Sequence, residues 1–401
     1  MKYAVWFVRL VFGAWMVPAG VNHFYRIFPQ PMGSHPLSHE LIVALIDSHL
    51  FDLVKAVELL AGLAVLIGWR TPLALLICMP VSFNVFWWDA PLEGWGSRAA
   101  LFGYSVLACN LILCLAYVRN YRAMFAWSSA RGSLVLAARV LFGAWMLANG
   151  LNHFFLGLWA EPAGHAPLAT QLMDAFTHSG LLNVAMAIQL VSGALILLGR
   201  FTPVALCVLM PVSTCALYWS LILDHQSLEA ALGVVAFALN GLLMLAYLDY
   251  YKTALQRHAL TFGESSPARG SFAALYVNPT GRTSRGDFIA ALIALLAVVA
   301  FYAFVVRGLT AHWCLLVLVY PGIILLARRL HDMGRSAWPV LIPAVLTVAA
   351  FAGWLHVIQY SGPLGTNLSW AALVVSVGFA LWGCLGSSQA QADRVGTALA
   401  T

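Results

Sequence analysis

Four ionisable residues at one end of the first two predicted helices have the types and spacing that proton transfer or the binding of a polar group requires. His23 closes the first apolar segment, and Asp52, Lys55 and Glu58 follow in the second at intervals of three residues. Residues three apart share one face of an α-helix, and ionisable groups at membrane depth normally face a bundle interior or a water-filled cavity. We therefore expect an outward-facing polar pocket in which His23 and Glu58 handle a proton or bind the polar head of a ligand. The alternative is a structural ion pair near the membrane interface, with Lys55 extending its ammonium group toward water.

The expected pocket has further candidate members in neighbouring segments. Asn22 precedes His23, and Asn84, Trp87 and Trp88 end the third helix at the same depth. Indole rings combine an apolar face with a polar N–H, which suits an amphipathic ligand, but they also form the aromatic belts of membrane proteins. For the Asn-His pair the alternative is helix-end capping and packing.

The composition places these residues in a membrane. Of the 401 residues, 62% are hydrophobic and 9% are charged, whereas soluble domains carry roughly 25% charged residues. The apolar runs are long and continuous, which indicates spanning helices rather than a barrel. We predict an all-α polytopic membrane protein with about twelve transmembrane helices, arranged as two repeated four-helix bundles plus a third four-helix unit.

An internal duplication organises the first two units. The string RLVFGAWM at 9–16 recurs as RVLFGAWM at 139–146, GVNHF at 20–24 recurs as GLNHF at 150–154, and MPVS at 79–82 recurs at 210–213. Self-similarity at a fixed spacing indicates a repeat. We predict repeat one at 1–125, repeat two at 131–258 and the third unit at 270–401. The predicted spans are 4–22, 52–68, 71–88, 98–118, 134–155, 181–199, 202–222, 228–248, 288–306, 311–327, 338–356 and 366–385. Segments 36–50 and 166–180 are too polar to span and are expected to form short interfacial or external helices.

The basic residues orient the chain. If the N-terminus is cytoplasmic, the 21 Lys and Arg residues lie on the inner side with the exception of Arg26, Lys55, Arg98 and Arg307. Such a bias is typical of cytoplasmic loops. It predicts a multi-pass membrane protein with a cytoplasmic N-terminus, and it accounts for the net charge of +6 without nucleic acid as a partner.

Repeat two keeps the Asn152-His153 pair but loses the charges, because Met186 and Gln189 occupy the positions of the repeat-one lysine and glutamate. If the protein has a single active pocket, we expect it in repeat one, with repeat two as its scaffold. If the Asn-His pair alone is functional, both repeats hold a site.

The repeat unit resembles the DoxX-like four-helix membrane proteins. The shared features are the GxNHF string that ends the first helix, KAVELLAG at 55–62, and a third helix that begins with Thr-Pro and has Met-Pro-Val at its centre. Two such units would cover residues 1–260. The resemblance implies a membrane module that serves a redox partner, as in a quinone-linked thiosulfate oxidoreductase, although most members have no assigned activity.

The C-terminal third resembles the domain-of-unknown-function 805 family of bacterial inner-membrane proteins. The strings GRTSRGDF at 281–288 and RRLHDMGRSAW at 328–338 carry this resemblance, which leaves function open. We expect its polar residues to meet at the cytoplasmic surface and to bind lipid headgroups, because guanidinium groups suit phosphate. The alternative is a salt-bridged loop that fixes the topology. The candidate headgroup residues are Arg282, Arg285, Arg328, Arg329, His331, Asp332 and Arg335.

Other chemistries have less support in the sequence. His35, His39 and His49 lie near carboxylates, but no tight metal signature is present, so no metal ligand is assigned. Haem ligation by His23 and His153 is a further alternative. No complete catalytic set is present, which leaves enzymatic activity open and favours a protein that is not an enzyme on its own.

Three classes of function follow. The first is a module that binds a small amphipathic or isoprenoid ligand in the repeat-one pocket and supports a membrane redox partner; the cofactor is unknown, and quinone is the candidate. The second is a non-enzymatic membrane scaffold or assembly factor. The third is a small-molecule transporter, with which parallel repeats are compatible.

Overall fold

The computed structural model describes residues 2–127, 132–261, 264 and 271–388. These residues form helices and no strand, apart from one isolated bridge pair between Trp127 and Arg200. The structure does not describe residues 389–401 of the third predicted unit or most of the connection that precedes this unit. The first residue of the second predicted unit also lies outside the described residues.

Fourteen longer helices in the described part of the chain, α1 to α14, carry the fold. Repeat one contains α1 Lys2–Tyr25, α2 Pro36–Asp47, α3 Leu50–Ile67, α4 Thr71–Trp87 and α5 Arg98–Ala116. Repeat two contains α6 Ser133–Leu151, α7 Pro167–His178, α8 Leu181–Leu198, α9 Thr202–Tyr218 and α10 Ser227–Ala246. The third unit contains α11 Arg285–Phe301, α12 Gly308–Asp332, α13 Leu341–Trp354 and α14 Leu364–Leu385. π-Helical turns continue four of them, at Trp88–Leu92, Asn152–Leu156, Trp219–Asp224 and Tyr302–Val306. The short helices are Val118–Tyr121, Arg122–Phe125, Leu248–Tyr251, Phe272–Tyr276 and Trp338–Val340.

The helices confirm an all-α polytopic membrane protein. Ten in the described part of the chain are long and apolar enough to cross a membrane. The apolar helix at Trp338–Trp354 is shorter, and α3 has sufficient length but carries three charged residues. With these two, the helices account for all of the predicted spans.

Each repeat is a ring of four helices, in which α1 and α3 or α6 and α8 make the closest pair. Glycine permits this approach. A Cβ added at Gly20 would lie 2.6 Å from the Cβ of Leu59, and one at Gly150 would lie 2.6 Å from the Cβ of Leu190. Since no side chain fits between these backbones, the repeated glycines are explained by helix packing.

Helices α2 and α7 stand outside the two rings of four and are therefore called the external helices. They lie at the end of the bundles where α1 and α6 finish, which we call the histidine end. They pack against each other through Leu41, Ala44, Leu172 and Ala175, and so join the repeats. The third unit packs on repeat one, where α11 and α12 contact α1.

Candidate functional site

His23 and Asp52 meet at the histidine end of repeat one. The Nε2 atom of His23 lies 2.5 Å from a carboxylate oxygen of Asp52. The other oxygen of Asp52 lies 3.0 Å from Nδ1 of His49. The pair joins the end of α1 to the start of α3. This agrees with the expectation that His23 and Asp52 lie at the same end of their helices. His23 is thereby paired with Asp52 rather than with Glu58.

Lys55 and Glu58 form an ion pair one turn deeper. The Nζ atom of Lys55 lies 2.6 Å from Oε2 of Glu58. The side chain of Glu58 is only 1% exposed and that of Lys55 is 12% exposed. Lys55 also lies over the ring of Phe51, 5.0 Å from its centroid. The pair therefore sits inside the bundle, with its ammonium group on the side that is more open.

Repeat two builds the same end with uncharged residues at the positions of Lys55 and Glu58. His153 contacts Asn183 over 2.7 Å, as His23 contacts the aspartate at the matching position, and it also contacts Glu161. Gln189 accepts a hydrogen bond from Asn149 over 3.1 Å, and its amide nitrogen lies 3.6 Å from the sulfur of Met186. Repeat two thus fills the position of the charged pair with an amide and a thioether.

The two repeat asparagines cap the loops that follow α1 and α6. Oδ1 of Asn22 accepts a hydrogen bond from the backbone N–H of Phe28, and Oδ1 of Asn152 accepts one from Leu158, both over 2.7 Å. Each asparagine is buried. Such hydrogen bonds are expected if the Asn-His pair serves helix-end capping, which was the alternative to a ligand-binding role. Asn84, by contrast, is exposed on α4.

The two tryptophans at the end of α4 hold the external helices. Nε1 of Trp88 donates to the backbone carbonyl of Ser38 over 2.9 Å. Nε1 of Trp87 donates to the carbonyl of Ser179 in repeat two over 2.9 Å, and the hydroxyl of Tyr218 returns a hydrogen bond to the carbonyl of Ser48 over 2.7 Å. The polar atom of Trp87 thus serves the joint between the repeats, and that of Trp88 holds α2 within repeat one.

Two carboxylates that sequence reasoning missed anchor the external helices. Oε1 of Glu93 accepts from the backbone N–H of Ser34 over 2.7 Å, and both its oxygens accept hydroxyl hydrogen bonds, from Ser34 and from Ser38. Asp224 does the same at the start of α7, where its carboxylate accepts from the N–H of His165 and, over 3.1 Å, from that of Ala166. The signal for both was present in the repeat, because each carboxylate follows the MPVS string at the same spacing.

The environment of Glu93 changes its acidity. Burial alone would raise the pKa of this carboxyl, but the hydrogen bonds from Ser34 and Ser38 outweigh burial and lower the pKa to about 2. Glu93 is therefore a permanent anion at neutral pH, and it stabilises the N-terminus of α2, where a negative charge is favoured.

In the third unit, two of the candidate headgroup residues are buried. Arg328 donates to Thr283 and to the backbone carbonyl of Asn278, among others, over 3.1 to 3.2 Å. Arg329 donates to the carbonyl of Gly383 over 2.8 Å and pairs with Asp332. These two arginines fasten α12 to its neighbours. The ring of His331 lies 3.2 Å from a backbone carbonyl, and the exposed guanidinium groups are those of Arg282, Arg285 and Arg335.

The three histidines that were considered as metal ligands have separate partners. His35 approaches Glu93 through its backbone N–H, His39 contacts the carbonyl of Met32 over 2.9 Å, and His49 contacts Asp52. They do not converge on one point.

Comparison with known proteins gives one match. Residues 276–392 match the family model described as "Protein of unknown function (DUF805)". The match supports the resemblance of the C-terminal third to this membrane family, while the DoxX-like resemblance of the repeats stays a prediction. No curated protein and no solved structure matches the chain.

Proposed function

We propose that repeat one binds a small amphipathic or isoprenoid ligand, with quinone as the leading candidate, at the histidine end beside Lys55 and Glu58, and that the protein thereby supports a membrane redox partner. The observation that carries this proposal is the buried ion pair of repeat one, which has Met186 and Gln189 as its counterparts in repeat two. The two repeats have the same ring of helices. The fold therefore does not require the charges.

The ion pair is expensive to keep. Removing two charges from water costs several kcal/mol per ion even after relaxation, and replacing a buried pair by uncharged residues is often neutral or stabilising. Ionisable residues within membrane spans are accordingly a sign of function. A pair retained in one repeat and absent from the other is best explained by a task that only repeat one performs.

The chemistry of the pair suits an oxygen-bearing head group. The ammonium group of Lys55 donates hydrogen bonds to a carbonyl or hydroxyl oxygen, and the carboxylate of Glu58 accepts one from a hydroxyl. A quinone offers the first kind of atom and a quinol the second. The apolar flanks of α3 and α4, where Leu60 and Ile77 are exposed, would accept an isoprenoid tail.

Substituting the repeat-two residues tests the proposal. We would purify wild type and the Lys55→Met/Glu58→Gln double variant in mild detergent, extract small molecules and identify them by mass spectrometry. The reciprocal variant, Met186→Lys with Gln189→Glu, is the matched control for a change of charge inside a bundle. We expect a near-stoichiometric isoprenoid in wild type that is lost from the double variant. If the extracts contain only bulk phospholipid, in equal amounts from wild type and the double variant, the proposal is refuted.

A membrane scaffold is the second candidate, and a specific observation favours it. Asn22, His23, Trp87 and Trp88 all direct polar atoms at other parts of the chain, which is the behaviour of residues that maintain a shape. A scaffold predicts that envelope proteins co-purify equally with wild type and with the double variant.

A further inference from the structure

We propose that His165, Asp224 and Glu229 form a binding site for a divalent transition-metal ion at the histidine end of repeat two. The sequence did not indicate this site, because its residues come from three separate segments. It is distinct from the Lys55–Glu58 pair of repeat one and does not depend on the function proposed for that pair.

The three side chains converge. One ligand atom from each, a ring nitrogen and two carboxylate oxygens, lies within 4.8 Å of the other two. Nδ1 of His165 is 3.1 Å from Oδ2 of Asp224. Ligand atoms around one tetrahedral Zn²⁺ lie about 3.4 Å apart, given metal–ligand distances of about 2.0 to 2.1 Å. A side-chain adjustment of about 1 Å would therefore close the site around an ion.

The charges of the cluster favour a cation. The side chain of Asp224 has no exposed surface, and Oε2 of Glu229 is a buried oxygen that accepts no hydrogen bond from the described residues. Within the described residues, no Lys or Arg forms a salt bridge with either carboxylate. Two adjacent ionised carboxylates repel each other, and without an ion one shared proton joins Asp224 and Glu229 through a hydrogen bond. A bound cation would replace that proton. His165, whose side chain is 62% exposed, gives an ion access from the surface.

Repeat one shows what the same corner looks like without these ligands. Ser34 occupies the position of His165, Glu93 that of Asp224, and Ala99 that of Glu229. There the buried carboxylate is satisfied by backbone N–H groups and by hydroxyls. The anchoring role is thus common to both repeats, whereas the imidazole and the carboxylate at the position of Glu229 are specific to repeat two. Neither is needed to hold an external helix.

The donor set defines the class of ion. One imidazole nitrogen with two carboxylate oxygens suits Zn²⁺ and its neighbours in the first transition row, whereas Mg²⁺ and Ca²⁺ prefer oxygen ligands alone. Three protein ligands leave a position for water or for an exogenous ligand.

Titration of metal-free protein in detergent with Co²⁺ tests the site, because the visible spectrum of Co²⁺ reports nitrogen and oxygen ligation and Zn²⁺ would displace it. The informative variants are Glu229→Ala and His165→Ser, which install the repeat-one residues and leave the Asp224 anchor intact. His39→Ala removes an exposed histidine elsewhere at the same end and is the control. Thermal unfolding of each variant without metal establishes that it is folded.

We expect wild type and His39→Ala to bind one equivalent of Co²⁺ per chain, and the two site variants to bind at least tenfold more weakly. Absence of saturable binding to wild type would overturn the proposal. Equal affinity in folded Glu229→Ala would also overturn it, because the ion would then be held by scattered surface histidines.

Discussion

Trp87 of repeat one donates a hydrogen bond from its indole nitrogen to the backbone carbonyl of Ser179 in repeat two, over 2.9 Å. Tyr218, at the position of Trp87 in repeat two, donates to the carbonyl of Ser48 over 2.7 Å. The duplicated units are thus joined by a reciprocal pair of side-chain hydrogen bonds at the histidine end. Each unit anchors the C-terminus of the external helix of the other.

Removing these bonds should loosen the joint between the repeats. We expect Trp87→Phe or Tyr218→Phe to lower the free energy of unfolding by about 0.5 to 1.5 kcal/mol, the usual net value of one hydrogen bond, plus the packing lost with the smaller ring of the first variant. Thermal unfolding in detergent measures the effect. Tyr104→Phe is the control, because that hydroxyl bonds to Trp95 within repeat one at an exposed position. An equal effect in the control would contradict a specific role at the joint.

The anchor at Glu93 should make α2 sensitive to acid. The pKa of Glu93 is lowered from 4.5 to about 2 in the folded protein. The stabilisation that the Glu93 carboxylate gives to α2 is therefore complete above pH 4.5 and is lost as the pH falls toward 2. We expect Glu93→Gln to cost about 1.5 to 3 kcal/mol at neutral pH, the value of hydrogen bonds to a charged group. Hydrogen exchange of the α2 amides between pH 2 and 6 checks this. The variant should lack the acid-dependent step, and a step of equal size in both proteins would refute the assignment to Glu93.

The contact between the external helices should weaken at high pH. His178 of α7 lies 2.8 Å from Glu40 of α2, and the hydrogen bond with this carboxylate, reinforced by its charge, raises the pKa of the imidazole. Because the histidine pKa is raised in the folded protein, the stabilisation from this contact is complete below the ordinary pKa of 6.5. The stabilisation is lost as the pH rises through the folded-state pKa. NMR titration of the ring should give a pKa above 6.5 in wild type. Glu40→Gln should return that pKa toward the ordinary value, and no change in the variant would count against the pair.

The close packing of α1 on α3 should not tolerate a methyl group. Gly20→Ala would place a Cβ 2.6 Å from the Cβ of Leu59 and 2.9 Å from its backbone nitrogen, so the helices must separate. We expect a loss of about 1 to 3 kcal/mol, the usual cost of overpacking, in thermal unfolding. Gly241→Ala on α10 is the matched control, because nothing lies within 4 Å of the added Cβ. A neutral Gly20→Ala variant would show that the glycine is not a packing requirement.

The sequence was sufficient for the helices because their signals are local. Continuous apolar runs, the proline at the second residue of α4 and the glycine after α3 mark spans and their ends without knowledge of tertiary contacts. The order of the spans likewise predicted that His23 and the start of α3 lie at the same end of the bundle, since one helix finishes where the next begins.

Contacts between distant segments could not be predicted from the sequence in the same way. Trp87 and Ser179 are 92 residues apart, and no periodicity indicates that an indole in one repeat bonds to a carbonyl of the other. Arg328 and Arg329 show a further limit. Cationic side chains next to a membrane surface favour lipid binding, and only the tertiary structure reveals that these two donate to carbonyls of the chain.

The most direct test of the proposed function is the affinity of repeat one for a quinone. We would titrate purified protein with a short-chain ubiquinone analogue and compare wild type with Lys55→Met/Glu58→Gln, after verifying equal thermal stability. We expect saturable binding of one molecule per chain in wild type, weakened at least tenfold in the variant because the charged hydrogen-bonding partners of the head group are gone. Saturable binding with equal affinity in both proteins, or no saturable binding in either, would contradict it.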